Sequence, residues 1–175
     1  PTAMRLRATI HPFVLRRTKV EVAKDLPEKI IQEMVVPMSE EQGKLYKQIL
    51  RQVRESVLSE VEKQGVAKSQ IQILAALTRL RQVACDPRLL GLEGNFDEES
   101  GKLNALKEIV SEAAAGGHKV LIFSQFVSML KLIREGLEAE KISFTYLDGS
   151  TKDRQGLVDE FNGNESITVF LISLK

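Results

Sequence analysis

The sequence predicts an α/β fold preceded by a helical appendage, and three observations predict it. From about Ser100 onward, short apolar, β-branched runs alternate with segments of helical periodicity, the pattern of βαβ units and a parallel sheet. Ahead of them lie two longer segments with apolar residues at helical spacing, joined by a short glycine-containing turn. The composition is that of a globular chain: 175 residues, 43% hydrophobic and 28% charged.

Taken in order, the elements are as follows. Up to about Pro37 the chain is mixed. "HPFVLRRTK" joins a short apolar run to a basic tail, and "KIIQEMVVP" reads as an extended segment closed by proline. Ser39 is an N-cap candidate, followed by glutamates in a first turn. Tyr46, Ile49, Leu50, Val53, Val57 and Val61 then recur at helical spacing as far as Gly65, a plausible stop. In the next helix Ile73, Leu77, Leu80 and Ala84 form the expected apolar stripe, and Asp86-Pro87 ends it. "EGNFDEES" reads as an acidic, solvated loop.

Leu103, Leu106, Val110 and Ala113 mark a helix ending at Gly116-Gly117. "KVLIF" follows as a strand, and then a helix with Phe126, Leu130, Ile133 and Leu137 on one side. "ISFTYL", "DGST", a helix carrying Leu157, Val158 and Phe161, and the strand "ITVFLIS" complete the chain. A buried strand normally feeds a turn that packs or works, so an end at Lys175 is unexpected, and further residues are expected beyond it.

Several chemistries lack support. No apolar stretch approaches the roughly 18 residues of a membrane span. The single cysteine, Cys85, makes no internal disulfide, suits a reducing compartment and reads as a small core residue. An intracellular setting is expected. "SGKL" at Ser100–Leu103 resembles the end of a nucleotide-binding P-loop, but Phe96 stands where glycine is required and Leu103 where Ser or Thr binds Mg2+. No G-x-G-x-x-G follows any strand, and one cysteine with the distant His11 and His118 makes no zinc site. No catalytic constellation and no metal site is expected.

Binding residues are a different matter. In an open parallel sheet ligands sit outside the carboxyl ends of the strands. Ser124 and Gln125 lie where the first strand feeds a helix, a place whose unpaired N–H groups and dipole suit phosphate. A plain N-cap is the simpler reading of Ser124 on sequence grounds alone. Gly149 permits close approach or positive φ, while Ser150 and Thr151 read as phosphate contacts or as caps of the next helix. Net charge is only +1, yet residues 1–19 carry Arg5, Arg7, Arg16, Arg17 and Lys19 without an acidic residue. Such a cluster serves phosphates or is a solvated face.

The ordered series "HPFVLRRTK", "LPEK", "SEEQGKLYKQIL", "LRQVACDPRLL", "SGKLNALKEIV", "HKVLIFSQF", "YLDGSTKDRQGLVDEFN" and "VFLISLK" resembles the Swi/Snf family of helicase-like ATPases, a branch of the superfamily-two helicases. The resemblance covers essentially the whole chain. It implies a RecA-like parallel sheet with flanking helices, an incomplete second lobe, preceded by an α-helical protrusion or linker. Residues 1–38 would then be the end of the first lobe and linker, 39–99 the helical linker or protrusion, and 100–175 the opening of the second lobe.

Functionally, the resemblance implies a translocase on double-stranded DNA, one that remodels a nucleoprotein, assists repair or acts on RNA polymerase. ATP and Mg2+ are expected to be used by the full-length parent, and none is expected to bind this part alone, which is expected to be inactive. Ser124 and Gln125 inherit a DNA-backbone role, and Gly149, Ser150 and Thr151 a weaker one. Arg16, Arg17 and Lys19 match a basic block at the lobe junction, serving lobe orientation or DNA. Arg154 is structural or near DNA, Phe161 is core, and aspartate replaces the frequent histidine of His-Pro at Asp86. The bacterial cytoplasm or nucleoid is favoured over the nucleus. A partner-binding α/β module, or a lobe of a helicase acting on RNA, are the alternative readings.

Overall fold

The structure, a computed structural model, describes residues 2–15, 17–23, 25–92 and 100–174, without the side chains of Ala3, Lys19 and Val20. Pro1, Arg16, Lys24, residues 93–99 and Lys175 therefore lie outside the described residues, and with them most of the stretch expected to be an acidic loop. The chain divides into two compact units, Pro1–Met34 and Val35–Lys175.

The first unit contains helices α1 (Thr2–Ile10) and α2 (Lys19–Val22). Its apolar side chains face solvent, Phe13 at 87% and Ile30 at 90% exposure. The "KIIQEMVVP" segment is non-helical, and no strand forms there. A strand needs a neighbour for its N–H and C=O groups, and the sheet of this protein lies entirely within the second unit.

The second unit opens with a helical hairpin, α3 (Glu40–Gln64) and α4 (Gln70–Cys85). Ser39 caps α3 as the sequence predicts, its side chain accepting from the Gln42 N–H, and Gly65 ends the helix at φ 79°. That positive φ is why glycine stands there. The apolar stripe of α4 is turned from the expected one. Ala76 and Val83 are buried and Ile73 and Leu80 half-buried, while Leu77 is 52% exposed. The reason is a polar anchor that periodicity does not show. Gln42 is buried in the first turn of α3, and its Nε2 donates to the Val83 carbonyl at 2.8 Å. That carbonyl lies in the last turn of α4, where no intrahelical N–H reaches it. The bond draws the Val83 face, rather than the Leu77 face, against α3.

Asp86 ends α4 and begins the 3-10 turn Pro87–Leu90. Its carboxylate is buried and accepts from Arg88 three times: the backbone N–H at 3.0 Å, and Nε and Nη2 at 2.8 Å each. Burial pushes the Asp86 carboxyl up, but hydrogen bonds from the Arg88 side chain and backbone and from Ser100 outweigh it and hold it below the ordinary aspartate value. Ser100 caps α5 (Gly101–Ala115), so "SGKL" is a helix start. A Cβ at Gly101 would collide with the Pro37 carbonyl oxygen, which explains the glycine by packing.

Three parallel strands follow, β1 (Val120–Ser124), β2 (Phe144–Leu147) and β3 (Val169–Ser173), in the order β1-β3-β2. Helix α6 (Val127–Ala139) links β1 to β2, and α7 (Arg154–Gly163) links β2 to β3. Alternation along each strand sorts the side chains between two faces. Ile122, Val169 and Leu171 pack with α5 and α6, through Leu103, Val110, Leu130 and Ile133. Phe170 packs with Phe161 of α7 and with Ile167. Phe161 is core, as expected, and Cys85 packs at the edge of the first cluster. Leu171 is fully buried at the centre of the sheet, and its truncation to Ala would cost about 2–5 kcal/mol. Helices thus cover both faces of a parallel sheet, and the carboxyl ends of the strands form one edge where the connecting turns lie.

Candidate nucleic-acid interface

The strand order makes β1 and β2 leave the sheet on opposite sides of β3. Ser124 pairs in register with Ser173, and the Leu174 N–H donates to the Ser124 carbonyl at 3.0 Å. The first candidate turn therefore sits beside the end of the central strand.

Ser124 is not the N-cap of α6. It is the last residue of β1, and Phe126 occupies the cap position without a side-chain cap hydrogen bond. The Ser124 hydroxyl instead folds the turn. Its Oγ accepts from the Phe126 N–H and donates to the Phe126 carbonyl, both at 3.1 Å. Ser124 still belongs to the strand, and the cap position falls two residues later, at Phe126. Among the described residues no acceptor is found for the backbone N–H groups of Val127 and Ser128. The positive end of a helix is thereby left open at the carboxyl edge of the sheet.

Gln125 is half-buried between strand and helix, and Arg81 of α4 donates through Nη2 to its Oε1 at 2.6 Å. Sequence reasoning missed Arg81. Its signal was a basic residue inside "LRQVAC", indistinguishable by pattern from any other helix-surface charge.

The second turn is built differently. Ser150 donates to the Asp148 carboxylate through its backbone N–H at 2.8 Å and through its hydroxyl at 2.6 Å. The Thr151 hydroxyl accepts from the Asp148 N–H at 3.0 Å. The cap of α7 is Asp153, which accepts from the Gly156 N–H at 2.8 Å. Ser150 and Thr151 thus do not cap the helix as the sequence allowed, because Asp153 is the cap and Asp148 engages both of them within the turn. Gly149 stays at negative φ; the glycines at positive φ among the described residues are Gly65, Gly91 and Gly117. The Ser150 hydroxyl and backbone bonds lower the Asp148 carboxyl below its usual range, with smaller help from Tyr146 and Thr151. Burial first, and then the same carboxylate, raise the Tyr146 phenol.

Arg154 is exposed as the first residue of α7. A cation there opposes the helix dipole, so helix stability does not account for it. Arg17 is exposed in the first unit and Lys19 begins α2; both belong to that unit and are described only within it. Arg16 and the Lys19 side chain lie outside the described residues.

No group of three or more His, Cys, Asp or Glu side chains among the described residues is placed to hold a metal ion, and the one P-loop-like tetrapeptide is the capped start of α5.

The family profile of the SNF2-related domain matches residues 2–89, about half the chain, and that of the helicase conserved C-terminal domain matches residues 101–175. The chain belongs to the SNF2 family. An uncharacterised ATP-dependent helicase of Mycoplasma genitalium is 34% identical over 166 residues, 94% of this chain and 15% of the relative. The chromodomain-helicase-DNA-binding protein 1-like of Mus musculus is 33% identical over 184 residues, 99% of this chain and 20% of the relative. Among solved structures, the Sulfolobus solfataricus SWI2/SNF2 ATPase core in complex with dsDNA matches at TM-score 0.69 and 34% identity, over 97% of this chain and 36% of that one. The core domain of the same ATPase matches at TM-score 0.71. This SNF2-family chain thus spans 15% to 20% of the length of the two relatives named.

Proposed function

We propose that this chain is part of an ATP-driven translocase on double-stranded DNA, and that the turn between β1 and α6 grips the sugar–phosphate backbone. The observation that carries the reading is the open N-terminus of α6 beside Gln125, at the carboxyl edge of the sheet. Supporting it, a relative of the same fold was solved with dsDNA bound. Contacts from backbone N–H groups and an amide position a duplex without reading its sequence, which is what a motor that moves along DNA requires.

Within this reading Gln125 and the amides of Val127 and Ser128 meet phosphate oxygens, while Ser124 shapes the turn. At the second turn the charge comes from Lys152 and Arg154, and Gly149, Ser150 and Thr151 set the path of the backbone beside it. Arg16, Arg17 and Lys19 add positive charge to the first unit. Residues 1–38, 39–99 and 100–175 act as lobe end, helical protrusion and start of the second lobe. ATP, with Mg2+, is used by the longer protein through residues other than these. Nucleoprotein or RNA polymerase is the class of obstacle on which such a motor acts.

The test is binding of labelled duplex DNA to the 175-residue chain across a salt series. We expect affinity that falls steeply with salt, weakened about tenfold or more by Ser124→Ala with Gln125→Ala. Binding indifferent to both salt and the substitutions would point to a protein-binding module. Preference for duplex RNA would point to an RNA helicase. Either result overturns the proposal.

A further inference from the structure

Arg81 and Gln125 are 44 residues apart and come from different parts of the second unit, the helical hairpin and the β1–α6 turn. A guanidinium carries donors and no acceptor. The end of the Gln125 amide that faces Arg81 must therefore be its oxygen, an assignment made by chemistry rather than by the shape of the side chain. The amide nitrogen, with both its hydrogens, is turned away from Arg81. A glutamine without such a partner presents either end to an incoming group. This one presents a donor, and its polarisation by a charged neighbour strengthens that donor.

The helix that carries Arg81 is itself fixed. Gln42 ties the α4 carbonyl of Val83, two residues further along, and Asp86 closes the helix end against Arg88. Among the described residues Arg81 has no carboxylate partner, and its guanidinium is directed at Gln125.

We propose that Arg81 is a positioning residue for backbone binding: it holds Gln125 with its amide donor toward a phosphate oxygen. Through that bond, the placement of the helical hairpin sets the grip of the turn. The phosphate half of this inference rests on the DNA reading above. The orientation of the amide does not, because it belongs to the free protein.

Two measurements on the 175-residue chain test the two halves separately. In the free protein, the side-chain amide resonances of Gln125 should be displaced from free-glutamine values and slow to exchange. Arg81→Met should return them to free-glutamine values, and Arg81→Lys, which keeps a donor and the charge, only part of the way. Duplex affinity is then compared for wild type, Arg81→Met, Gln125→Ala and the double variant between about 50 and 200 mM salt, the range over which phosphate contacts show. Each single change should weaken binding about three- to tenfold, the worth of one hydrogen bond. The double change should weaken it no further, and the salt slope should stay constant.

Additive losses, with a slope smaller by about 0.9 in Arg81→Met, would make Arg81 a phosphate contact in its own right and overturn the positioning role. So would amide resonances that ignore Arg81→Met. A wild-type chain that binds no duplex while its Gln125 resonances respond to Arg81→Met would overturn the DNA reading and the phosphate half, and leave the orientation half supported.

Discussion

The turns after β1 and β2 occupy equivalent places, each leading from a strand's carboxyl end into a helix, yet they treat their polar groups in opposite ways. After β2, Asp148 takes both donors of Ser150, and Asp153 accepts from the Gly156 N–H in the first turn of α7. The turn satisfies itself with negative charge. After β1 the cap residue is Phe126, and among the described residues the charged group in contact is a cation, Arg81, with no carboxylate beside it. Two turns with similar hydroxyl-bearing sequences thus differ in sign. What decides whether such a turn attracts an anion is not serine or threonine but whether an aspartate has already taken the donors. The same hydrogen bonds that stabilise the second turn make it the poorer seat for phosphate.

The largest expected effect acts on the element that holds the first turn's cation. Asp86→Ala removes the carboxylate that accepts three bonds from Arg88 and closes α4. Removing one partner of a buried pair costs 3–5 kcal/mol, and the partly exposed Arg88 places this case at about 3, read as a lower urea midpoint. The pH dependence has a definite sign. The folded Asp86 carboxyl lies below its unfolded value, so its contribution is complete above about pH 4 and lost as pH falls through the folded value. Asp86→Asn should remove that part of the acid dependence. A variant as stable as wild type would show that α4 is held by its apolar face alone.

Next in size is the direct contrast between the turns. Gln125→Glu keeps the contact with Arg81 as an ion pair but replaces the outward donor by an acceptor. Duplex affinity should fall about tenfold or more, since a carboxylate then faces the phosphate. Ser150→Ala removes a hydroxyl already committed to Asp148, and affinity should stay within about twofold of wild type, as for other surface changes. Equal losses in the two variants, read by fluorescence anisotropy, would erase the distinction drawn here.

The fold was legible because its signals are periodic. Strand runs, helix positions, the Ser39 cap and the Gly65 stop all follow from local chemistry and stand where the pattern put them. What periodicity could not show were long-range polar bonds. Gln42 to Val83 rotates the buried face of α4 away from Leu77, and Arg81 reaches Gln125 across 44 residues. At the sheet edge, the sequence located the turns but not the hydrogen bonds within them. Ser124 looked like a cap because serine favours caps, whereas β1 extends through Ser124 and leaves that position to Phe126. Ser150 and Thr151 looked like caps because nothing local shows that Asp148 turns its carboxylate back on Ser150.

The smallest predicted effect is also the most direct attempt to turn one turn into the other. Asp148→Asn keeps an oxygen that accepts from Ser150 and so preserves the fold of the turn, while the charge is lost. Duplex binding should tighten about threefold at low salt, within the range of a single exposed charge, and the gain should shrink as salt screens it. The pH profile separates this from a change of fold. Asp148 titrates below the ordinary aspartate range, so wild type carries the charge at every pH from 5 to 8, and the gain should be flat across that window. A gain that varied with pH there would implicate another group. No gain at all would mean that Asp148 does not face the DNA, and that the two turns differ in stability but not in what they bind.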